Sequence, residues 1–102
     1  MLQEGGGVME YVRFKLGEKK YVAIRVQSCD RRAFEVTQAK YTLKKGMETE
    51  KSGTCEIYQD REDSVQISAL IQPQAKNAQY SLEFTYEIPP EILKHVIQVC
   101  VS

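Results

Sequence analysis

Apolar and polar side chains alternate without interruption in one stretch of the chain, Tyr80-Ser81-Leu82-Glu83-Phe84-Thr85-Tyr86-Glu87-Ile88. Successive side chains of a β-strand point to opposite faces, so this period of two predicts a strand with one buried face and one solvated face. A helix would distribute the same five apolar side chains around its whole circumference. The stretch therefore places the chain among proteins built from half-buried strands.

The same period of two recurs towards the N-terminus. Val12, Phe14 and Leu16 alternate with polar or amphipathic residues, and residues 22–26 repeat the pattern. The intervening segment Gly17-Glu18-Lys19-Lys20 is charged and contains glycine, which suits a hairpin connection. We expect these two strands to pair with each other.

The segment from Phe34 to Lys45 changes its parity. Phe34 and Val36 share one face of a strand, whereas Ala39, Tyr41 and Leu43 share the other. An unbroken strand would turn one of these sets towards solvent, so we expect a β-bulge or a strand break near Thr37-Gln38.

The remaining apolar stretches complete the count of strands. Short strands are predicted around residues 55–57 and over residues 65–71, where Pro73 ends the pattern. Pro89-Pro90 interrupts regular structure, and residues 90–94 suit one short helical turn. The β-branched residues 95–101 favour a final strand that is buried on both faces for part of its length.

The pattern indicates an all-β protein of about seven strands with at most one short helical turn. Turn signals every 8–12 residues favour an antiparallel β-sandwich or a small barrel. With 102 residues the chain has room for one domain, which we assign to residues 9–102. Residues 1–8 include Gly5-Gly6-Gly7 and are expected to form a flexible segment.

Composition excludes several classes of protein. The 42% of hydrophobic residues is too high, and the net charge of zero too low, for a disordered chain. Zero net charge argues against nucleic-acid binding, and no apolar run approaches the roughly 20 residues of a membrane helix. The N-terminus lacks the pattern of a secretory signal, so we expect synthesis in the cytoplasm.

No constellation in the sequence predicts catalysis, and we expect the protein not to be an enzyme. His95 is the only histidine, and no nucleophile signature surrounds it, so we interpret it as a structural or rim residue. Cys29, Cys55 and Cys100 lack metal-ligand spacing and are odd in number, so we expect no metal site, no cofactor and no disulfide framework. We interpret them as buried or half-buried thiols, with Cys55 and Cys100 within apolar alternations.

The beginning of the longest alternation resembles the tyrosine corner of immunoglobulin-like sandwiches. Ala78, Tyr80 and Leu82 match the small residue, the tyrosine and the core residue of that motif, whereas Lys76 replaces its acidic residue. The resemblance implies a Tyr80 hydroxyl that is hydrogen-bonded to nearby backbone. Alternatively, Tyr80 is one more inward-facing aromatic side chain.

A longer stretch, residues 33–102, resembles small immunoglobulin-like domains of phage and prophage proteins found in virions and tails. The spacing that carries the resemblance comprises Ala39-x-Tyr41-x-Leu43, Gly46, Ser52-Gly53-Thr54-Cys55, Ile67, Leu70-Ile71 and Tyr80 to Tyr86. It implies an immunoglobulin-like sandwich and a structural or assembly role, in the virion or in a bacterial protein of prophage origin. No catalytic residue comes with the resemblance.

Three basic doublets are the candidate partner contacts. Each falls in a predicted turn or at a strand end: Lys19-Lys20, Arg31-Arg32 and Lys44-Lys45. If they share one end of the sandwich, they form a patch for an acidic partner; otherwise they are ordinary loop charges that also protect sheet edges.

The zero net charge is a cancellation between the two halves of the chain. Residues 1–51 carry 11 basic and 7 acidic side chains, whereas residues 52–102 carry 3 and 7. Charge polarity of this kind favours salt-sensitive, head-to-tail self-association.

We therefore expect a non-enzymatic module that binds protein partners, including copies of itself. The alternative is a ligand- or carbohydrate-binding sandwich that uses exposed aromatics such as Tyr11, Tyr21 and Tyr58.

Overall fold

A computed structural model describes residues 2–3, 10–76 and 79–102, which fold into two β-sheets packed around one core. These residues form nine strands and no helix. In chain order the strands are Leu2–Gln3 (β1), Tyr11–Phe14 (β2), Lys20–Ser28 (β3), Gln38–Lys45 (β4), Glu48–Thr54 (β5), Glu56–Arg61 (β6), Ser64–Ile71 (β7), Gln79–Ile88 (β8) and Glu91–Val101 (β9). The all-β prediction is confirmed, with nine described strands rather than about seven.

The strands are divided between a four-stranded sheet, β1-β3-β7-β6, and a five-stranded sheet, β2-β9-β8-β4-β5. Among the described strands, neighbours are antiparallel with one exception. Strand β2 runs parallel to β9, with Tyr11 opposite Gln98 and Phe14 opposite Val101. A purely antiparallel sandwich was the expectation, and this pair departs from it.

The core is centred on β8, the strand that the alternation predicts. Tyr80, Leu82, Phe84 and Tyr86 are each at most 1% exposed, and the polar residues between them lie on the outer face of the five-stranded sheet. Inward-facing side chains of β3 and β7 cover them from the opposite sheet. Burial of such aromatic side chains supplies much of the driving force for folding.

The predicted hairpin at Gly17–Lys20 is wrong. Strand β2 pairs with β9 in one sheet, whereas β3 pairs with β1 and β7 in the other, so residues 15–19 cross between the two sheets. A short glycine-containing connection between two alternating strands has the same sequence pattern in both arrangements. The pairing is decided by β9, which lies far away in the sequence.

The parity change near Thr37-Gln38 marks a strand break, as predicted. Val36 is buried ahead of the strand, and β4 begins at Gln38 with Ala39 facing inward. The polar segment Glu48–Thr54 forms β5 at the edge of its sheet, where both faces reach solvent. At Cys55 the chain then crosses to the other sheet, where β6 begins at Glu56.

The C-terminal prediction is partly wrong. After a turn at Pro89-Pro90, β9 begins directly at Glu91, so residues 90–94 do not form the helical turn. Only one face of β9 is buried along its length: Ile92 and Val96 are 66% and 47% exposed, and Cys100 is exposed as well. Both faces would be buried only if a third layer covered this sheet, and the described residues provide none.

The flexible segment predicted for residues 1–8 lies mostly outside the described residues. Leu2–Gln3 form β1 and pair with β3, whereas residues 1 and 4–9 are not described. Flexibility of those residues stays a prediction. No helix among the described residues is long and apolar enough to span a membrane.

Candidate interaction surfaces

The six basic residues of the predicted patch are divided between opposite ends of the sandwich. Lys20 pairs with Ile71 at the end of β7, and Lys45 pairs with Tyr80 at the beginning of β8, so Lys19-Lys20 and Lys44-Lys45 lie at one end. Arg31-Arg32 follow Ser28 at the other end of β3. Nine residues of extended strand span roughly 30 Å, so the three doublets do not form one patch.

Lys20 is engaged within the molecule. Its Nζ donates a 2.7 Å hydrogen bond to the carbonyl oxygen of Arg13 and lies 4.5 Å from the centroid of the Phe14 ring. Glu18 Oε1 is 3.9 Å away. These contacts join β3 to the end of β2 across the two sheets, so Lys20 stabilises the connection in addition to contributing charge.

The end that carries Lys19 and Lys45 is strongly basic. Three connections meet there: residues 15–19 between β2 and β3, the turn around Gly46, and residues 72–76 after β7. The Gly46 N–H donates a 2.8 Å hydrogen bond to the carbonyl oxygen of Gln79, which holds the turn against β8. We call this the basic end; its charged residues are Lys15, Lys19, Lys20, Lys44, Lys45, Lys51 and Lys76, against Glu18, Glu48 and Glu50.

The opposite end is acidic. Residues 29–37, the turn after β6 and the turn between β8 and β9 meet there, as the hydrogen bonds from Phe34 N–H to the carbonyl oxygen of Glu62 and from Thr37 N–H to that of Glu87 indicate. We call this the acidic end; its charged residues are Asp30, Glu35, Glu62, Asp63, Glu87 and Glu91, against Arg31, Arg32 and Arg61.

Part of the positive charge at the acidic end is already neutralised. Arg32 Nε lies 3.2 Å from Asp30 Oδ2. The Ser28 hydroxyl and the Arg32 N–H both donate to the Asp30 carboxylate, and these hydrogen bonds lower the pKa of Asp30. The doublet Arg31-Arg32 is therefore embedded in an acidic environment, which the sequence pattern does not indicate.

Both ends also expose apolar side chains. At the basic end, Met47 is 98% exposed at the tip of its turn and Leu16 is 51% exposed. At the acidic end, the Pro89-Pro90 turn is exposed, and Ile92, two residues further on, is 66% exposed on the outer face of the five-stranded sheet. Each end thus combines an excess of one sign of charge with an exposed apolar group, a composition that suits protein contacts.

Three solved structures resemble the chain, although their sequences are very different. The chain aligns over 100% of its length with an engineered protein (TM-score 0.62, 13% identity), of which it covers 20%. It aligns equally fully with murine CRIg (TM-score 0.54, 12% identity) and over 99% of its length with titin domain M7 (TM-score 0.51, 8% identity), covering 97% and 93% of those chains. No protein-family model and no curated protein matches the sequence.

The protein has an immunoglobulin-like fold. The predicted immunoglobulin-like sandwich is confirmed at this level, and at such low identity the similarity concerns the fold alone. Within this immunoglobulin-like sandwich, β8 is the central strand of the five-stranded sheet, and the two ends are the loop clusters at which sequence variation alters the surface without altering the core.

The immunoglobulin-like tyrosine corner is present at Tyr80. The buried Tyr80 hydroxyl accepts a 2.9 Å hydrogen bond from the Ala75 N–H, as the predicted corner requires. It also donates a 2.6 Å hydrogen bond to Glu50 Oε1 on β5. Two effects raise the pKa of Tyr80: the larger is burial, and the smaller is the hydrogen bond to the Glu50 carboxylate. Ala78 lies outside the described residues.

Glu50 is the residue that sequence reasoning missed. It lies 30 residues before Tyr80 in an otherwise polar segment, and nothing in its surroundings distinguishes it from the neighbouring acidic residues. Its second oxygen, Oε2, is 3.4 Å from the Gln74 N–H. Glu50 therefore ties edge strand β5 to the loop before β8.

His95 and the cysteines do not converge on a chemical site. His95 lies on the inward-facing side of β9, and its Nε2 is 3.2 Å from Glu10 Oε1. No group of three metal-ligating side chains occurs in the described part of the chain.

Cys55 is half-buried, and burial raises its pKa to about 11. The prediction of burial is wrong for Cys29 and Cys100, which are both exposed; Cys100 points outward because Val99 and Val101 occupy the inward positions.

Proposed function

We propose that the protein is a non-enzymatic structural or interaction module that binds other proteins through the two ends of its sandwich. The observation that carries the proposal is the opposite charge of the ends, each accompanied by an exposed apolar side chain. Immunoglobulin-like sandwiches hold their loops in place on a rigid core, so the ends offer stable surfaces for recognition.

The partners we propose are proteins of a phage or prophage-derived virion. Support comes from the spacing of residues 33–102, which resembles the immunoglobulin-like domains of virion and tail-associated proteins. On this proposal the chain is synthesised in the cytoplasm and becomes part of the particle during assembly. Neither nucleic acid nor a membrane is among its proposed partners.

Two experiments test this function. Genes for capsid, portal or tail proteins next to the coding sequence are expected, whereas a position within a metabolic operon would argue against the proposal. Particles purified by density-gradient centrifugation after prophage induction should contain the chain in a fixed ratio to a tail or capsid protein. If the chain is absent from the particles and captures no virion protein, the proposed function is wrong.

A second candidate function is carbohydrate binding. Tyr21 and Tyr58 are 54% and 65% exposed and lie on the outer face of the four-stranded sheet, on either side of β7. Tyr11 lies on the other sheet, so the three tyrosines do not form one platform. Exposed aromatic side chains on one sheet face favour stacking against sugar rings.

A glycan array tests the second function. Binding should be lost in a Tyr21→Ala/Tyr58→Ala variant and retained in the matched control Tyr11→Ala, because Tyr11 is equally exposed on the other sheet. An array without hits would exclude this function for the glycans tested.

A further inference from the structure

We propose that the basic end of one copy of this chain binds the acidic end of the next copy. The inference rests on the proposed interaction function and names its partner: a second copy of the same chain. The ends are those defined above, with Met47 and Leu16 exposed among the lysines and Ile92 exposed beside Glu87 and the Pro89-Pro90 turn.

Charge determines which ends can meet. Two basic ends would bring lysines such as Lys19 and Lys45 against each other, and two acidic ends would do the same for Glu62 and Glu91. Like charges in contact disfavour both arrangements, whereas unlike ends attract. The contact is therefore heterologous, which means that two different surfaces of the chain meet.

Exposed apolar side chains lie at the middle of the proposed contact. Met47 is 98% exposed at the tip of the turn between β4 and β5, and its flexible thioether side chain adapts to irregular surfaces. Ile92 and the exposed Pro89-Pro90 turn form the apolar part of the opposite end. Removing these groups from water stabilises the contact, and the surrounding charges orient it.

The area of each end face limits the strength of the association between copies. The principal-axis extents are 42, 25 and 23 Å. Strand β9 has 11 residues and spans roughly 33 Å, which only the longest extent accommodates, so the end faces measure 25 by 23 Å. An end face of these dimensions is smaller than the ~800 Å² that each partner buries in an interface of standard size. We therefore expect weak association that falls as the salt concentration rises, because much of the attraction is between exposed charges.

A heterologous contact leaves one unused end on each copy. Association therefore continues into chains or closes into rings, whereas a symmetric dimer would stop at two copies. This difference makes the proposal testable with two complementary variants.

The first variant neutralises the basic end and the second neutralises the acidic end. Lys19→Gln/Lys45→Gln/Lys76→Gln and Glu35→Gln/Glu62→Gln/Glu91→Gln change only exposed side chains. A control variant, Arg13→Gln/Lys40→Gln/Lys94→Gln, removes three cations from the outer face of the five-stranded sheet. Thermal unfolding of each variant verifies that it folds.

Sedimentation velocity at low salt provides the readout. The wild type and the control variant should form species larger than dimers, and each end variant alone should associate at least tenfold more weakly. An equimolar mixture of the two end variants should form a dimer and nothing larger, because each variant retains one functional end. In high salt all of these species should dissociate.

Other results would overturn the inference. A monomeric wild type at millimolar concentration, end variants that associate like the wild type, or a mixture that forms no dimer would each contradict it. A wild type that is monomeric but binds virion proteins would overturn this inference and leave the proposed function standing.

Discussion

Replacement of Tyr80 by phenylalanine removes one oxygen atom from a buried side chain that makes two hydrogen bonds. The aromatic ring remains and still fills its place in the core, where Tyr80 is 1% exposed. What is lost is the hydroxyl that accepts from the Ala75 N–H at 2.9 Å and donates to Glu50 Oε1 at 2.6 Å. The variant therefore isolates the contribution of the corner from that of the core.

The size of the effect follows from these two bonds. A hydrogen bond to a charged group contributes ~1.5–3 kcal/mol and a neutral one ~0.5–1.5 kcal/mol. Glu50 and Ala75 are half-buried, so water reaches both in the variant and the lower values apply. We expect a loss of about 2 kcal/mol in the free energy of unfolding, which lowers Tm by roughly 8–16 °C for a domain of this size.

Urea and thermal denaturation followed by circular dichroism measure this loss. The matched control is Tyr41→Phe, because Tyr41 is also buried but its hydroxyl forms no hydrogen bond with another described residue. The control should lose less than about 1 kcal/mol. If Tyr80→Phe is as stable as the control, the hydroxyl contributes nothing and the corner does not stabilise the fold as described.

Three further predictions concern single residues. Gly53→Ala should destabilise the fold by about 1–2 kcal/mol in urea denaturation, because a Cβ there would lie 3.0 Å from Cε1 of the buried Tyr41 ring. Cys55 should react with iodoacetamide at pH 8 more slowly than the two exposed cysteines, as peptide mass spectrometry would detect, because burial raises its pKa to about 11. The hydrogen bond from Arg25 lowers the pKa of Asp60, so this carboxylate contributes stability that is lost as the pH falls below about 3.8. Acid denaturation of Asp60→Asn should accordingly depend less on pH.

The strands that could be predicted from the sequence are those with one buried face and one solvent-exposed face. Strands β7 and β8 follow the period of two, because their inward residues are apolar and their outward residues are polar. Strand β5 could not be predicted, since an edge strand with two exposed faces has no alternation to reveal it. The hairpin between β2 and β3 failed for another reason: alternation predicts strands but says nothing of which strands pair.

The candidate surfaces were predictable only in part. The opposite charge of the two chain halves is visible in the sequence, but its arrangement in space depends on which turns meet at each end. Arg31-Arg32 belong to the basic half of the chain and nevertheless lie at the acidic end, beside Asp30. The bond between Tyr80 and Glu50 likewise depends on the position of β5, which the sequence pattern does not reveal.

Zero-length cross-linking tests the contact between unlike ends most directly. A carbodiimide joins lysines to carboxylates that touch, and an equal mixture of ¹⁴N- and ¹⁵N-labelled chains distinguishes links between copies from links within one copy. We predict that the links between copies join Lys19, Lys45 or Lys76 to Glu35, Glu62 or Glu91, and that they disappear in high salt. Links between copies that fall mainly on the sheet faces, or that join residues without preference for the two ends, would contradict the account.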